Sequence, residues 1–93
     1  MKEIALLPAE TPEAVHEAFA KELGFPAHCG KNLDALHDCL GEIAEPTRVT
    51  LYDLGGWRSR LGVEFCRSLA RVLAAVSREN PAFRAAWSLL PAP

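Results

Sequence analysis

The sequence predicts an α/β fold in which a small, three-stranded, mostly parallel sheet packs against helices. Three β-forming runs are separated by segments with helical periodicity, and helical crossovers favour parallel strand pairing. The chain has 93 residues, 49% of them hydrophobic and 24% charged, which are ordinary values for one globular domain. We therefore expect residues 1–93 to form a single domain with the order strand, two helices, strand, helix, strand. The order of the strands within the sheet is not predicted.

The first half of the chain contains the best-marked helix start. Residues 4–7 form a short apolar run that Pro8 ends, as is typical of a buried strand. A helix then begins at Thr11, where threonine is a favoured N-cap and Pro12 suits the first helical position. Apolar residues recur at Val15, Phe19 and Leu23, and Gly24 follows as a C-cap.

The second half alternates strand, helix and strand. Residues 48–54 are rich in β-forming types, and two glycines at 55 and 56 are expected to break this strand. A long helix is predicted over residues 63–79, and a last strand over residues 83–90. The buried stripe of the long helix is expected to contain Phe65, Leu69, Val72 and Val76.

The most informative segment is a predicted helix that carries two carboxylates one turn apart. Asn32 is its expected N-cap, and Asp34 and Asp38 are spaced i, i+4 on the face opposite Leu33, Leu36, Leu40 and Ile43. Residues 31–45 carry a net charge of −3, although the whole chain carries only −2. Glu42 and Glu45 are expected to continue the acidic face.

This concentration of negative charge argues against a nucleic-acid partner, because phosphates would be repelled, and it favours a cationic protein surface. An ordinary solvated helix face explains the same pattern and remains the alternative. An enzyme is not expected, because paired catalytic carboxylates flank a substrate and do not share one face of one helix. His28, Cys29, His37 and Cys39 lack metal-ligand spacing, so neither a metal site nor a cofactor is predicted.

The sequence also predicts the compartment. It contains no apolar run long enough to span a bilayer and no signal-peptide pattern at its start, so a cytoplasmic protein without a membrane partner is expected. Its three cysteines are odd in number and widely spaced. In a reducing compartment we expect all three to be free thiols.

Residues 30–40 follow the pattern G-x-N-L-D-A-L-x-D-C-L, and Lys21-Glu22-Leu23 and Pro26 precede it. In these residues the chain resembles the barstar family of intracellular ribonuclease inhibitors. Arg78-Glu79 resembles a second acidic contact of that family. The likeness of sequence is strong over residues 21–40, and elsewhere it rests on the order of the elements.

The resemblance implies an inhibitor that is a monomer when free and that plugs the active site of a secreted, guanyl-specific-type ribonuclease. Asp38 would be the principal mimic of an RNA phosphate, Asp34 its neighbour and Glu79 a peripheral acid. The partner-binding residues expected in this way are His28, Cys29, Gly30, Asn32, Leu33, Asp34, Ala35, His37, Asp38, Gly41, Glu42 and Glu79.

The chain departs from the family at His28, Cys29 and His37, where members commonly carry aromatic residues. Buried aromatic side chains supply much of the energy of a typical interface. This difference keeps an alternative open: an immunity-type or regulatory protein that uses the same acidic helix against another basic protein.

Overall fold

The computed structural model describes residues 1–26 and 32–93. Its strands are β1 (Lys2–Leu6), β2 (Thr47–Leu51) and β3 (Phe83–Trp87). Its helices are α1 (Pro12–Leu23), α2 (Leu33–Gly41), α3 (Leu54–Leu61) and α4 (Val63–Glu79). The strands form one parallel sheet in the order β1-β2-β3, so the predicted α/β fold is confirmed.

One face of the sheet is buried and the other faces solvent. Ile4, Val49 and Ala85 lie side by side on the covered face, as do Leu6, Leu51 and Trp87. On the other face, Glu3 and Arg48 are neighbours, and their Oε1 and Nε atoms lie 3.9 Å apart. Parallel sheets are usually covered on both faces. Here the helices cover one face, so the fold has two layers.

The core lies between that covered face and the helices. Its members are apolar side chains from every strand and every helix, and they form one cluster: Ile4, Leu6, Val15, Phe19, Leu36, Leu40, Val49, Leu51, Trp57, Cys66, Leu69, Leu73, Val76 and Phe83. The stripe predicted for α4 is partly wrong. Cys66 and Leu73 are buried on this helix, whereas Phe65 and Val72 are only half-buried.

The helix α3 (Leu54–Leu61) contradicts the sequence prediction, which places only a break at the glycines at 55 and 56. Asp53 caps this helix from a left-handed backbone conformation (φ 61°, ψ 62°), and its Oδ1 accepts a hydrogen bond of 3.2 Å from the Gly56 amide. A Cβ atom at Gly56 would lie 2.5 Å from Asp53 Oδ2 and 2.9 Å from Pro8 Cγ, so a larger residue would displace the capping carboxylate or Pro8. The helix buries Trp57, whose Nε1 donates to the Tyr52 carbonyl at 2.8 Å.

Three predicted boundaries also differ from the structure. The first strand ends at Leu6, and Leu7 is exposed. The second strand ends at Leu51, which leaves Asp53 available to cap α3. The last strand ends at Trp87, and Leu89 and Leu90 are 78% and 69% exposed. In each case the predicted strand extends beyond the residues that pair within the sheet.

Candidate functional site

The acidic helix of the sequence is α2, and its start is fixed by a side-chain cap. Asn32 Oδ1 accepts a hydrogen bond of 2.8 Å from the Ala35 amide, which otherwise has no partner within the helix. Leu36, Cys39 and Leu40 are buried on the inner side. Asp34 and Asp38 are exposed, as the i, i+4 spacing predicted.

The predicted extension of the acidic face beyond α2 is wrong. The helix ends at Gly41, and Glu42 is its C-cap. Glu45 lies in the segment that leads to β2, outside the helix, although both glutamates are exposed. Ile43 also lies beyond the helix and is half-buried. The helical acidic pair is therefore limited to Asp34 and Asp38.

The helix α4 brings a third carboxylate to this surface. The imidazole Nε2 of His37 lies 3.1 Å from Glu79 Oε1, and its Nδ1 lies 3.5 Å from Asp38 Oδ1. The His37 side chain is 35% exposed, whereas those of Asp38 and Glu79 are 84% and 60% exposed. One histidine thus lies between two accessible carboxylates from different helices. Asp34, Asp38 and Glu79, together with His37, are called the acidic surface below.

A buried asparagine holds these two helices together. Asn80 directly follows α4, and its Nδ2 donates to the backbone carbonyls of Leu40 at 3.1 Å, Gly41 at 3.4 Å and Ile43 at 2.9 Å. Carbonyls at the end of a helix lack the usual donor four residues later. The Leu40 carbonyl also accepts a 3.3 Å hydrogen bond from the Ile43 amide, so the Asn80 amide is an additional donor there. Asn80 Oδ1 accepts from the Ala82 amide at 3.0 Å. Asn80 therefore fixes the end of α2 against the end of α4.

Sequence reasoning missed the role of Asn80. The Asn-Pro pair at 80 and 81 predicted only the end of the long helix. A signal was present, because an asparagine that ends a helix is often a capping residue. Its acceptors lie 37–40 positions earlier in the chain, so no local pattern identifies them.

The remaining predicted binding residues differ in accessibility. Asn32, Gly41 and Glu42 are exposed, and Leu33 and Ala35 are half-buried. His28, Cys29 and Gly30 lie outside the described residues. Beside the end of α2 there is an open cavity of about 350 Å³. Its lining includes Phe25, Ile43 and Thr47, with Glu42 and Glu45 among its acidic members.

The expectation of three free thiols is wrong for Cys39. This residue is disulfide-bonded, whereas Cys66 is a buried free thiol. Burial raises the pKa of the Cys66 thiol, and the nearby positive charge of Arg58 partly opposes this effect. Cys29, the third cysteine of the sequence, lies outside the described residues.

The described part of the chain holds no group of three or more His, Cys, Asp or Glu side chains placed to bind a metal ion. Within the same residues, no helix has the length and apolar character needed to cross a membrane. The chemistry available at the acidic surface is thus that of exposed carboxylates and one imidazole. Such groups bind cations through charge and hydrogen bonding.

One comparison with known proteins gives a match. A family model described as barstar (barnase inhibitor) matches residues 2–88, which is nearly the whole chain. No curated protein matches the chain. The matched range contains the seven helices and strands of residues 1–26 and 32–93 and all the residues of the acidic surface.

Proposed function

The chain belongs to the barstar family, and we propose that it inhibits a secreted, guanyl-specific-type ribonuclease by covering the enzyme's basic active site with α2. In this proposal it is a stoichiometric inhibitor and not a catalyst. It acts in the cytoplasm, is a monomer when free, and needs neither a metal ion nor a cofactor. Asp38 replaces an RNA phosphate, and Asp34 and Glu79 support it.

The observation that carries the proposal is the arrangement of three exposed carboxylates on two packed helices. Asp34 and Asp38 follow each other by one turn of α2, and Glu79 reaches the same surface from the end of α4. A ribonuclease active site holds a polyanion, so it must present cationic groups at a comparable spacing. Complementary charges across an interface accelerate association and orient the partners.

The burial of α2 supports the same conclusion. Leu36 and Leu40 are fully buried, and Asn80 fixes the end of the helix. The carboxylates are therefore held on a rigid element, which reduces the entropy lost when they become ordered against a partner. The barnase–barstar pair is a well-known example of electrostatic steering and of coupling between charge pairs across an interface.

The test is titration of a purified secreted basic ribonuclease with this protein while RNA cleavage is followed. The proposal expects inhibition to reach completion near a one-to-one ratio and to be unaffected by a chelator. Glu64→Ala is the matched control, because Glu64 is an exposed acid at the other end of α4, about 22 Å from Glu79 along the helix. Full ribonuclease activity at a large excess of this protein would refute the proposal. Capture of a different basic protein through the same carboxylates would then support the immunity-type alternative.

A further inference from the structure

We propose that His37 makes the acidic surface sensitive to protons: a cationic partner displaces the positive charge of His37, and a proton is released on binding. This inference rests on the proposed function and adds a regulatory property to it. It starts from the position of the ring, between a carboxylate of its own helix and a carboxylate of α4.

The two contacts have different requirements for protons. A neutral imidazole carries one N–H group, so it can present a donor to only one of two carboxylates and turns a lone pair towards the other. A charged imidazolium carries an N–H on each nitrogen. Because Glu79 lies 3.1 Å from Nε2 and Asp38 lies 3.5 Å from Nδ1, only the charged ring stabilises both neighbours. His37 therefore links Asp38 of α2 to Glu79 of α4 through both ring nitrogens only when the ring is protonated.

The charged side chains around the ring are mostly negative. Asp34 lies one turn before His37 on α2, and Asp38 and Glu79 contact the ring. Arg78, which precedes Glu79 in α4, is the cation nearest to it in sequence and is exposed. The three acids of the surface thus outnumber the bases around the imidazole. A ring in this setting acts as an internal counter-ion of the acidic surface.

A basic partner reverses this balance. Its Arg and Lys groups become the counter-ions of Asp38 and Glu79, and they repel a positive ring between those residues. By linkage, a proton that is bound in the free protein and lost in the complex makes affinity rise with pH. Histidine is the side chain that ordinarily changes charge between pH 5 and 8, so the effect falls in that range. For one released proton, the dissociation constant decreases by at most about tenfold per pH unit.

The experiment is calorimetric titration of a secreted basic ribonuclease with the parent protein and with His37→Gln, from pH 5.5 to 8.5. Each pH is measured in two buffers of different ionisation enthalpy, which gives the number of protons released. We expect the parent to release up to one proton more than His37→Gln near pH 6. Its dissociation constant should also depend more steeply on pH. Histidines of the ribonuclease affect both proteins equally, so the difference belongs to His37.

Two further variants complete the test. His37→Phe, a neutral aromatic replacement, should lose the same proton release, which guards against a folding defect peculiar to glutamine. Glu64→Gln, away from the acidic surface, should retain the proton release of the parent. Equal proton release by the parent and by both His37 variants would overturn this proposal while leaving the proposed function intact. Absence of binding by the parent at pH 8.5 would refute the proposed function and this proposal with it.

Discussion

The side-chain amide of Asn80 donates a 2.9 Å hydrogen bond to the backbone carbonyl of Ile43, which joins the residue after α4 to the segment that leaves α2. The same nitrogen reaches two carbonyls at the end of α2. One buried polar group thus determines how the two helices of the acidic surface meet. Because Glu79 is the neighbour of Asn80 in the chain, the position of its carboxylate depends on this contact.

The first prediction concerns this contact. Asn80→Ala should lower the free energy of unfolding by about 1–3 kcal/mol, because the carbonyls of Leu40, Gly41 and Ile43 all lose the side-chain amide that donates to them. Asn80→Asp should be at least as destabilising, because it places an anion against the same carbonyls. The control is Ser77→Ala, since the Ser77 hydroxyl donates to the Leu73 carbonyl within its own helix. Urea unfolding followed by circular dichroism measures all three variants. An Asn80→Ala variant as stable as Ser77→Ala would contradict this role.

The second prediction concerns the carboxylates. Asp38→Ala should weaken ribonuclease binding most, followed by Asp34→Ala, with losses of about 2–5 kcal/mol or more for a desolvated charge pair. Both side chains are exposed in the free protein, so stability should change by only about ±0.5 kcal/mol. Calorimetric titration measures binding, and thermal unfolding checks the fold. Association should also slow as salt rises, because salt screens the attraction beyond about 8–10 Å.

If both aspartate variants bind as tightly as the parent and as Glu64→Ala, the two residues belong to an ordinary solvated helix face. That outcome would restore the alternative explanation of the charge pattern. Equal losses for Asp34, Asp38 and Glu64 would instead indicate that only net charge matters.

The third prediction concerns His16, which is buried in α1 and whose Nδ1 has no hydrogen-bond partner among the described residues. Burial lowers the pKa of His16 below its ordinary value of 6.5, and the negative charge of Glu13 partly opposes this effect. The unfolded chain therefore takes up a proton that the folded chain resists. Its contribution to stability is fully present above about pH 6.5 and decreases as the pH falls towards the lowered value in the folded state.

The measurement is the unfolding temperature of the parent and of His16→Leu between pH 8 and pH 5. We expect the parent to lose more stability than the variant on acidification, whatever their difference at pH 8. The carboxylates and the other histidines are present in both proteins, so their contributions to the pH dependence of stability cancel in the comparison. Parallel curves would show that His16 is protonated equally in the folded and unfolded states.

The fourth prediction concerns the thiols. Because Cys39 is disulfide-bonded, the unreduced protein in denaturant should give fewer than three reactive thiols. Cys66 should react slowly in the native protein, since it is buried and burial raises its pKa, and rapidly after unfolding. Peptide mapping without reduction identifies the partner of Cys39. Three reactive thiols in denaturant would restore the expectation drawn from the sequence.

Local patterns predicted the features that depend on neighbouring residues. Thr11 and Asn32 cap α1 and α2 as expected, with side-chain oxygens 3.1 Å and 2.8 Å from the amides they accept from. The spacing of Asp34 and Asp38 predicted their common exposure. These features follow from local helix geometry, so they could be predicted from the sequence alone.

The structural features that the sequence did not predict depend on residues that are distant in the chain. Gly55 and Gly56 disfavour a helix by intrinsic propensity, but burial of Trp57 and the cap at Asp53 outweigh that cost. The contact of His37 with Glu79 requires α2 to pack on α4, and the hydrophobic periodicity of a helix does not show which other helix it packs against. The partners of Asn80 are hidden for the same reason.

The long separation between Asn80 and its acceptors has a consequence during synthesis of the chain. The last residue of α2, Gly41, precedes by 39 positions the amide that holds the end of the helix. At about 5–20 residues per second, translation supplies that amide roughly 2–8 s later. Until then Asp34 and Asp38 lack both the third carboxylate of the acidic surface, Glu79, and the contact that fixes the end of α2. A partner that recognises the assembled surface therefore meets it only after residue 80 has been added to the chain.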